Sequence, residues 1–299
     1  MTPEHPPESP RPVRPDAARF ALLVFLGTEV MFFTALVASY MVLRAGAVAR
    51  DGIPWPKPSD VHVEPLVGLA NTIILVASSA AAMLACKFLA SGSSKGATAA
   101  LTASLLLGTA FLGVKGYEYY GKISHGLLPG RIGELHPPGT QARARYDTTA
   151  GLAFMDSVKA KLETDARPLL KSTDDSIGLP LKLEVELLRE IDQKKLSAGM
   201  VAERVRDIHL ETEHASHGTH VNLPAVAAHG NLWASCYFLI TGCHALHLIV
   251  GLAFLLGLVF KGLTGLLKTD DLPYLSNVAI YWHFVDMVWL VVFPIIYLL

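Results

Sequence analysis

The chain has 299 residues, of which 52% are hydrophobic and only 17% charged, where a soluble domain carries roughly a quarter charged residues. Its 25 basic and 26 acidic residues leave a formal net charge of −1, which excludes a nucleic-acid binder or a polybasic surface protein. The three cysteines, Cys86, Cys236 and Cys243, all lie in apolar sequence, with no CxxC, c-type haem attachment motif or disulfide framework.

Residues 1–18 hold Pro3, Pro6, Pro7, Pro10, Pro12 and Pro15 and read as a disordered tail with no cleavable signal. Five apolar blocks follow: Phe20–Leu43, Leu66–Leu89, Ala97–Tyr119, Leu232–Phe260 and Ser276–Leu299. Each reaches the ~20 residues that a helix needs to cross a bilayer, and none alternates with period two as a barrel strand would. The fold class expected is all-α, a five-helix membrane bundle, with residues 19–120 holding the first three spans and 231–299 the last two. Arg11, Arg14 and Arg19 precede the first span, and Lys87, Lys95, Lys261 and Lys268 fall in loops on the same side. Arg44, Arg50 and Lys57 stand opposite, so the positive-inside rule places the N-terminus in the cytoplasm and the C-terminus outside.

Between the third and fourth spans, residues 121–230 change character. From Gly121 to Asn231 there are 14 Lys/Arg and 15 Asp/Glu, a soluble and nearly neutral stretch. Leu181, Val185, Leu188 and Ile191 mark one amphipathic helix, Val201, Val205 and Ile208 a second after Ser197, and Leu152, Met155, Val158 and Leu162 a third. This reads as a helical insertion outside the membrane, on the periplasmic side.

Ionisable groups at bilayer depth are costly unless they face protein or water, so those inside the apolar blocks carry the information. The first span has Glu29. The second opens with Asn71-Thr72 and continues to Ser78-Ser79. The third ends with Lys115 and Glu118, the fourth carries His244 and His247, and the fifth His283 and Asp286. Each of these pairs is three apart and shares a helix face. Helix–helix hydrogen bonding accounts for such pairs; haem or metal ligation by His244, His247 and His283 is the sharper alternative. Glu29 fits either an interhelical hydrogen bond or a protonatable group beside a proton path. Before the fourth span, His209, His214, His217 and His220 read as a solvated polar linker, with a zinc or copper cluster as the sharper alternative. Trp55, Trp233, Tyr237, Tyr274 and Tyr281 sit near block ends as interfacial anchors would. Gly108, Gly113, Gly116, Gly242, Gly251 and Gly257 permit close helix approach.

As a set these residues resemble subunit III of the haem-copper oxidases, the cytochrome c oxidase subunit III family, quinol oxidase members included. Thr28-Glu29-Val30-Met31-Phe32-Phe33 is similar to the family's intramembrane Ser/Thr-Glu-x-Met/Leu-Phe-Phe segment. Asn71-Thr72 with Ser78-Ser79 matches its second motif, and Tyr117-Glu118-Tyr119-Tyr120 its Glu-Tyr helix end. Thr241-Gly242-Cys243-His244-Ala245-Leu246-His247 is close to its Thr-Gly-x-His-Gly-Leu-His signature, and Tyr281-Trp282-His283-Phe284-Val285-Asp286-Met287-Val288-Trp289 to its Tyr-Trp-His-Phe-Val-Asp-x-Val-Trp ending. Two departures stand out: two N-terminal helices of seven-helix members are missing, and the long link before the fourth span is foreign to the family. Lys115 also replaces a neutral polar residue.

The resemblance implies an accessory subunit of a respiratory oxidase in a prokaryotic plasma membrane. It implies packing on subunit I, support of proton uptake, bound phospholipid, and haem and copper held by partner subunits I and II rather than by this chain. Glu29, Lys115 and Glu118 are then the proton-related or buried polar candidates. Asn71, His244, His247, Trp282, His283 and Asp286 are the packing or lipid-contacting ones. The insertion inherits no role; on the outer face it would meet a c-type cytochrome or a partner respiratory complex. A quinol oxidase or nitric oxide reductase is the alternative within the family, and a free-standing membrane metalloenzyme using the histidines the alternative outside it.

Overall fold

The computed structural model describes residues 17–51, 53–135, 149–170, 178–193, 196–215 and 221–299. Most of the Pro-rich tail, His217 and His220 lie outside these residues, as does the His214 side chain.

Among the described residues nine α-helices form in chain order: α1 Ala17–Ala45, α2 Ala47–Asp51, α3 Pro65–Ala90, α4 Ser94–Ser124, α5 Thr149–Asp165, α6 Leu179–Asp192, α7 Ala198–Ala215, α8 Gly230–Leu263 and α9 Leu272–Phe293. A π-helical turn, Pro294–Leu298, continues α9. Among the described residues the only β-pairing is an isolated bridge between Gly133 and Val226. Of the described helices five, α1, α3, α4, α8 and α9 with its flanking turns, are long and apolar enough to cross a membrane. They overrun the expected blocks by a few residues because polar residues at the ends continue the helix.

Local chemistry sets the boundaries. Gly92 adopts φ +81° and ends α3, where only glycine takes the left-handed conformation without strain. The Ser93 hydroxyl then accepts from Gly96 N at 3.3 Å and caps α4. Pro65 begins α3 and Pro273 sits in the first turn of α9, positions where a missing N–H costs nothing. Ser94 donates to the Leu267 carbonyl at 2.9 Å. That bond brings the α3–α4 and α8–α9 turns together on one side of the bundle, and the insertion emerges on the other.

In the bundle α3 packs on α4 and α9, and α8 closes the ring against the same two helices. The core there includes Trp233, Trp282, Trp289, Tyr237, Tyr297 and Phe111. α1 lies outside the ring and packs mainly on α8 and α9 among the long helices. It buries Leu26, Phe33 and Tyr40 alone, a stripe repeating every seven residues.

The insertion has its own core. Phe154, Val158 and Leu162 of α5, Leu187, Leu188 and Ile191 of α6, and Val201, Val205 and Ile208 of α7 pack together. In α5 the expected stripe is corrected: Leu152 is 56% exposed while Phe154 is fully buried. The face that meets α6 and α7 runs through positions four apart, Phe154, Val158 and Leu162, leaving Leu152 on the far side. The insertion's two roots join the membrane core instead, through Leu127, Ile132, Ala225 and Ala227. Backbone bonds from Ala225 to His125 O and from Ala227 to Gly133 O hold those roots side by side.

Candidate functional site

The polar residues of the five spans separate into three clusters. The first joins the outlying α1 to the ring. His247 Nε2 on α8 lies 3.1 Å from Glu29 Oε2 on α1, with 16% and 18% of the two side chains exposed. The other ring nitrogen, Nδ1, is 2.8 Å from the Cys243 carbonyl. A carbonyl only accepts, so Nδ1 carries a hydrogen. The Nε2···Oε2 contact therefore holds one further proton, either on a neutral Glu29 that donates to imidazole or on an imidazolium that donates to a carboxylate. Tyr281 donates to the His247 carbonyl at 3.0 Å, and Phe33 packs its ring edge against the imidazole.

The second cluster is the most enclosed. Lys115 Nζ donates to Glu118 Oε2 at 2.9 Å, Tyr297 Oη at 2.6 Å and Tyr237 Oη at 3.3 Å. Both phenols in turn donate to the Glu118 carboxylate, Tyr237 at 2.6 Å and Tyr297 at 2.6 Å. Three elements meet here: α4, α8 and the C-terminal π turn. Lys115 also lies over the rings of Tyr119, Tyr237, Trp289 and Tyr297, a cation–π cage. Each donor and acceptor around the pair is thus saturated, which is what permits a buried lysine and glutamate at this depth.

The third cluster lies along α3, α4 and α9. Trp282 Nε1 donates to Ser78 Oγ at 3.1 Å, and Ser78 donates to the Ser104 carbonyl at 2.7 Å. Trp289 Nε1 donates to Thr72 at 3.0 Å, and Asn71 Nδ2 to the Phe111 carbonyl at 3.3 Å. Ser79 Oγ sits 2.9 Å from His283 Nδ1, and Asp286 Oδ2 is 4.0 Å from the same nitrogen. Gly108 and Gly251 flank the Trp282 indole, where an added Cβ would lie 2.7 Å and 2.6 Å from ring carbons. Of the six glycines expected to permit close approach, those two do so most tightly; Gly113, Gly116 and Gly257 meet nothing within 4 Å.

Of the packing candidates, His247 reaches α1 and His283 reaches α3. His244, 1% exposed, has no hydrogen-bond partner at either ring nitrogen and packs between Phe111 and Trp289. Nor are the aromatics an interfacial belt. Trp55, Trp233, Tyr237 and Tyr281 are buried, and only Tyr274 of the five is exposed. Protein covers the ends of the spans where they stand. Trp55 Nε1, for instance, donates to Tyr40 Oη at 3.2 Å, and its ring stacks on His229.

Sequence reasoning passed over Lys122 and Tyr297. Lys122 is 2% exposed and donates to the carbonyls of Val61 and His62 at 3.0 and 2.7 Å. It clamps the α1–α3 loop against the end of α4. His62 stacks on His125 with ring centroids 4.5 Å apart, and His209 of α7 stands edge-on to His62 at 6.3 Å. Of the expected His209–His220 run, His209 thus meets a loop histidine that its spacing did not suggest. Among the described residues no three His, Cys, Asp or Glu stand as a metal-holding group. In the insertion core, burial and the nearby Asp165 push the Glu184 carboxyl up to about 7, with Lys161 opposing.

Comparison with known proteins places this geometry. The sequence model of the family described as Cytochrome c oxidase subunit III matches residues 12–127 and 207–299, taking in all five spans and omitting α5 and α6. The cytochrome c oxidase subunit 3 of Corynebacterium diphtheriae is 32% identical over 114 residues, 38% of this chain and 54% of that protein. Its counterpart in Arabidopsis thaliana is 22% identical over 280 residues, 93% of this chain and 67% of that one. A protein named probable quinol oxidase subunit 3, from Staphylococcus saprophyticus, is 33% identical over 70 residues, 23% of this chain and 34% of its own. In the matches to the bacterial and cyanobacterial cytochrome c oxidase relatives the chain spans between 30% and 54% of their length. With well over half of its residues matched and every span included, this chain belongs to the cytochrome c oxidase subunit III family.

Proposed function

We propose that the chain is the accessory subunit III of a respiratory oxidase, packed on the catalytic subunit I beside subunit II and sustaining proton uptake while that complex reduces oxygen to water. In this reading haem and copper reside in the partner subunits, and phospholipid fills the space beside α1. The observation that carries it is the Glu29–His247 contact. It joins α1 to the ring through a side-chain bond between two groups that can each carry a proton. A buried acid–imidazole pair on an otherwise loosely packed helix suits a proton-holding or proton-relaying role better than a structural bolt. Glu29→Gln preserves the shape and a hydrogen-bond donor but cannot release a proton. The purified complex carrying it should assemble normally and start at the wild-type rate, then lose activity after fewer turnovers. An unchanged turnover lifetime sinks the proton role.

In this reading the membrane is a prokaryotic plasma membrane, and the charge count supports an N-terminus in the cytoplasm with the C-terminus and insertion in the periplasm. On that side the insertion is placed to touch a c-type cytochrome or a partner respiratory complex, and its near-neutral balance favours a surface that recognises shape over charge. Deleting residues 136–220 retains the root contacts of Ala225 and Ala227. The shortened chain should assemble while donor affinity or association with the partner complex falls; if neither changes, the insertion has no docking role. The match to a quinol oxidase subunit 3 supports a second reading, in which quinol replaces cytochrome c as donor. A copper-binding subunit II in the purified complex distinguishes the two.

A further inference from the structure

The outer edge between α3 and α9 carries a polar group that nothing within this chain explains. His283 has 50% of its side chain exposed, whereas Asp286, one turn on, has 3%. Both stand in the deepest part of the bundle. His283 is at the middle of the span Thr269–Leu298, and Ser79 is close to the middle of Pro65–Ala90, each within about 3 Å of the midpoint at the helical rise per residue. Lipid headgroups do not reach that depth, and hydrocarbon offers no hydrogen bonds. An imidazole half exposed there therefore requires a protein neighbour.

The hydrogen bonds also say what kind of neighbour. Ser79 Oγ lies 2.9 Å from His283 Nδ1. That bond occupies Nδ1 and leaves the second ring nitrogen, Nε2, to hydrogen-bond elsewhere. Apolar side chains flank the ring: Met287 and Leu290 on successive turns of α9, and Val76 and Met83 on α3, all exposed. An apolar strip with one polar group at its centre is what a transmembrane helix bearing one hydrogen-bonding side chain would cover, since interhelical contacts in membranes combine close apolar packing with single polar bonds.

We infer that the α3–α9 edge is the seat of a transmembrane helix from another oxidase subunit, which presents a hydrogen-bonding side chain to His283 at mid-membrane depth. The inference rests on the reading of the chain as an oxidase subunit, and its test separates the two. In the oxidase purified from native membranes, a photoreactive amino acid replaces Met287 or Leu290. Illumination should give a covalent adduct with another membrane-embedded subunit of the complex. His283→Leu should lower the amount of this chain retained through detergent purification several-fold. His283→Gln, which keeps a hydrogen-bonding group, should retain most of it. If the chain purifies with the oxidase but neither probe yields an inter-subunit adduct, or the adduct is with a second copy of this chain, the edge is not that seat. If the chain does not purify with an oxidase at all, the underlying reading fails and takes the inference with it.

Discussion

Replacing Lys115 by methionine removes the one positive charge from a closed cluster and leaves Glu118 with only phenol donors. Lys115 and Glu118 are 6% and 13% exposed, with 2.9 Å between Nζ and Oε2. Two charges at that separation attract by about 6 kcal/mol at an effective dielectric near 20, set against the cost of desolvating both. Truncating one partner of such a pair typically costs about 3–5 kcal/mol, because the other is left uncompensated, while replacing both by well-packed apolar groups is near neutral. Lys115→Met should therefore destabilise the bundle by about 3–5 kcal/mol, and Lys115→Met with Glu118→Leu by markedly less than the sum of the two single changes. Denaturant unfolding of the chain in detergent micelles, arranged as a double-mutant cycle, reads the difference. A coupling below about 0.5 kcal/mol, the range expected for independent sites, refutes the argument that the two charges are held by each other.

Gly251→Ala places a methyl 2.6 Å from the Trp282 ring; overpacking of this kind costs about 1–3 kcal/mol, while Gly257→Ala, facing open space, should leave the melting temperature unchanged. The Glu184 carboxyl, raised to about 7, makes the insertion pH-sensitive. The native state keeps its proton across the interval in which the unfolded chain has already lost it, so stability declines as pH rises from about 4.5 to about 7 and stays low above that. After discounting for solvent near the carboxyl the change is on the order of 1–2 kcal/mol. Hydrogen exchange of α6 amides, corrected for intrinsic rate, should show less protection at pH 8 than at pH 5.5 in the intact chain. Glu184→Gln should abolish the difference, and a protection factor independent of pH would contradict the assignment.

The spans were legible because a twenty-residue apolar block has one stable solution in a bilayer, and the amphipathic helices α6 and α7 because their period repeats cleanly. Within α5, Leu152 and Phe154 are both apolar, and periodicity over so few turns does not say which faces inward. Glu29, Lys115, Glu118 and the α8 and α9 histidines stood out as ionisable residues in oil, and Lys115–Glu118 paired at the expected three-residue spacing. Their partners on other helices did not stand out. Glu29 meets His247 across 218 positions and Ser79 meets His283 across 204, distances over which local pattern carries no information. Tyr297 was invisible for the same reason: a tyrosine near a chain end looks like an interfacial anchor, and only the packing of the π turn directs its hydroxyl to Glu118.

Affinity purification of the tagged chain from its native membrane in mild detergent, with protein identification and an optical spectrum of the eluate, tests the account most directly. The haem-bearing catalytic subunit of an oxidase, oxygen consumption and haem absorbance should elute together with the chain. Elution of this polypeptide free of any oxidase subunit, or haem absorbance that stays with it after the others are removed, would contradict the assignment of an accessory subunit whose redox centres lie in its neighbours.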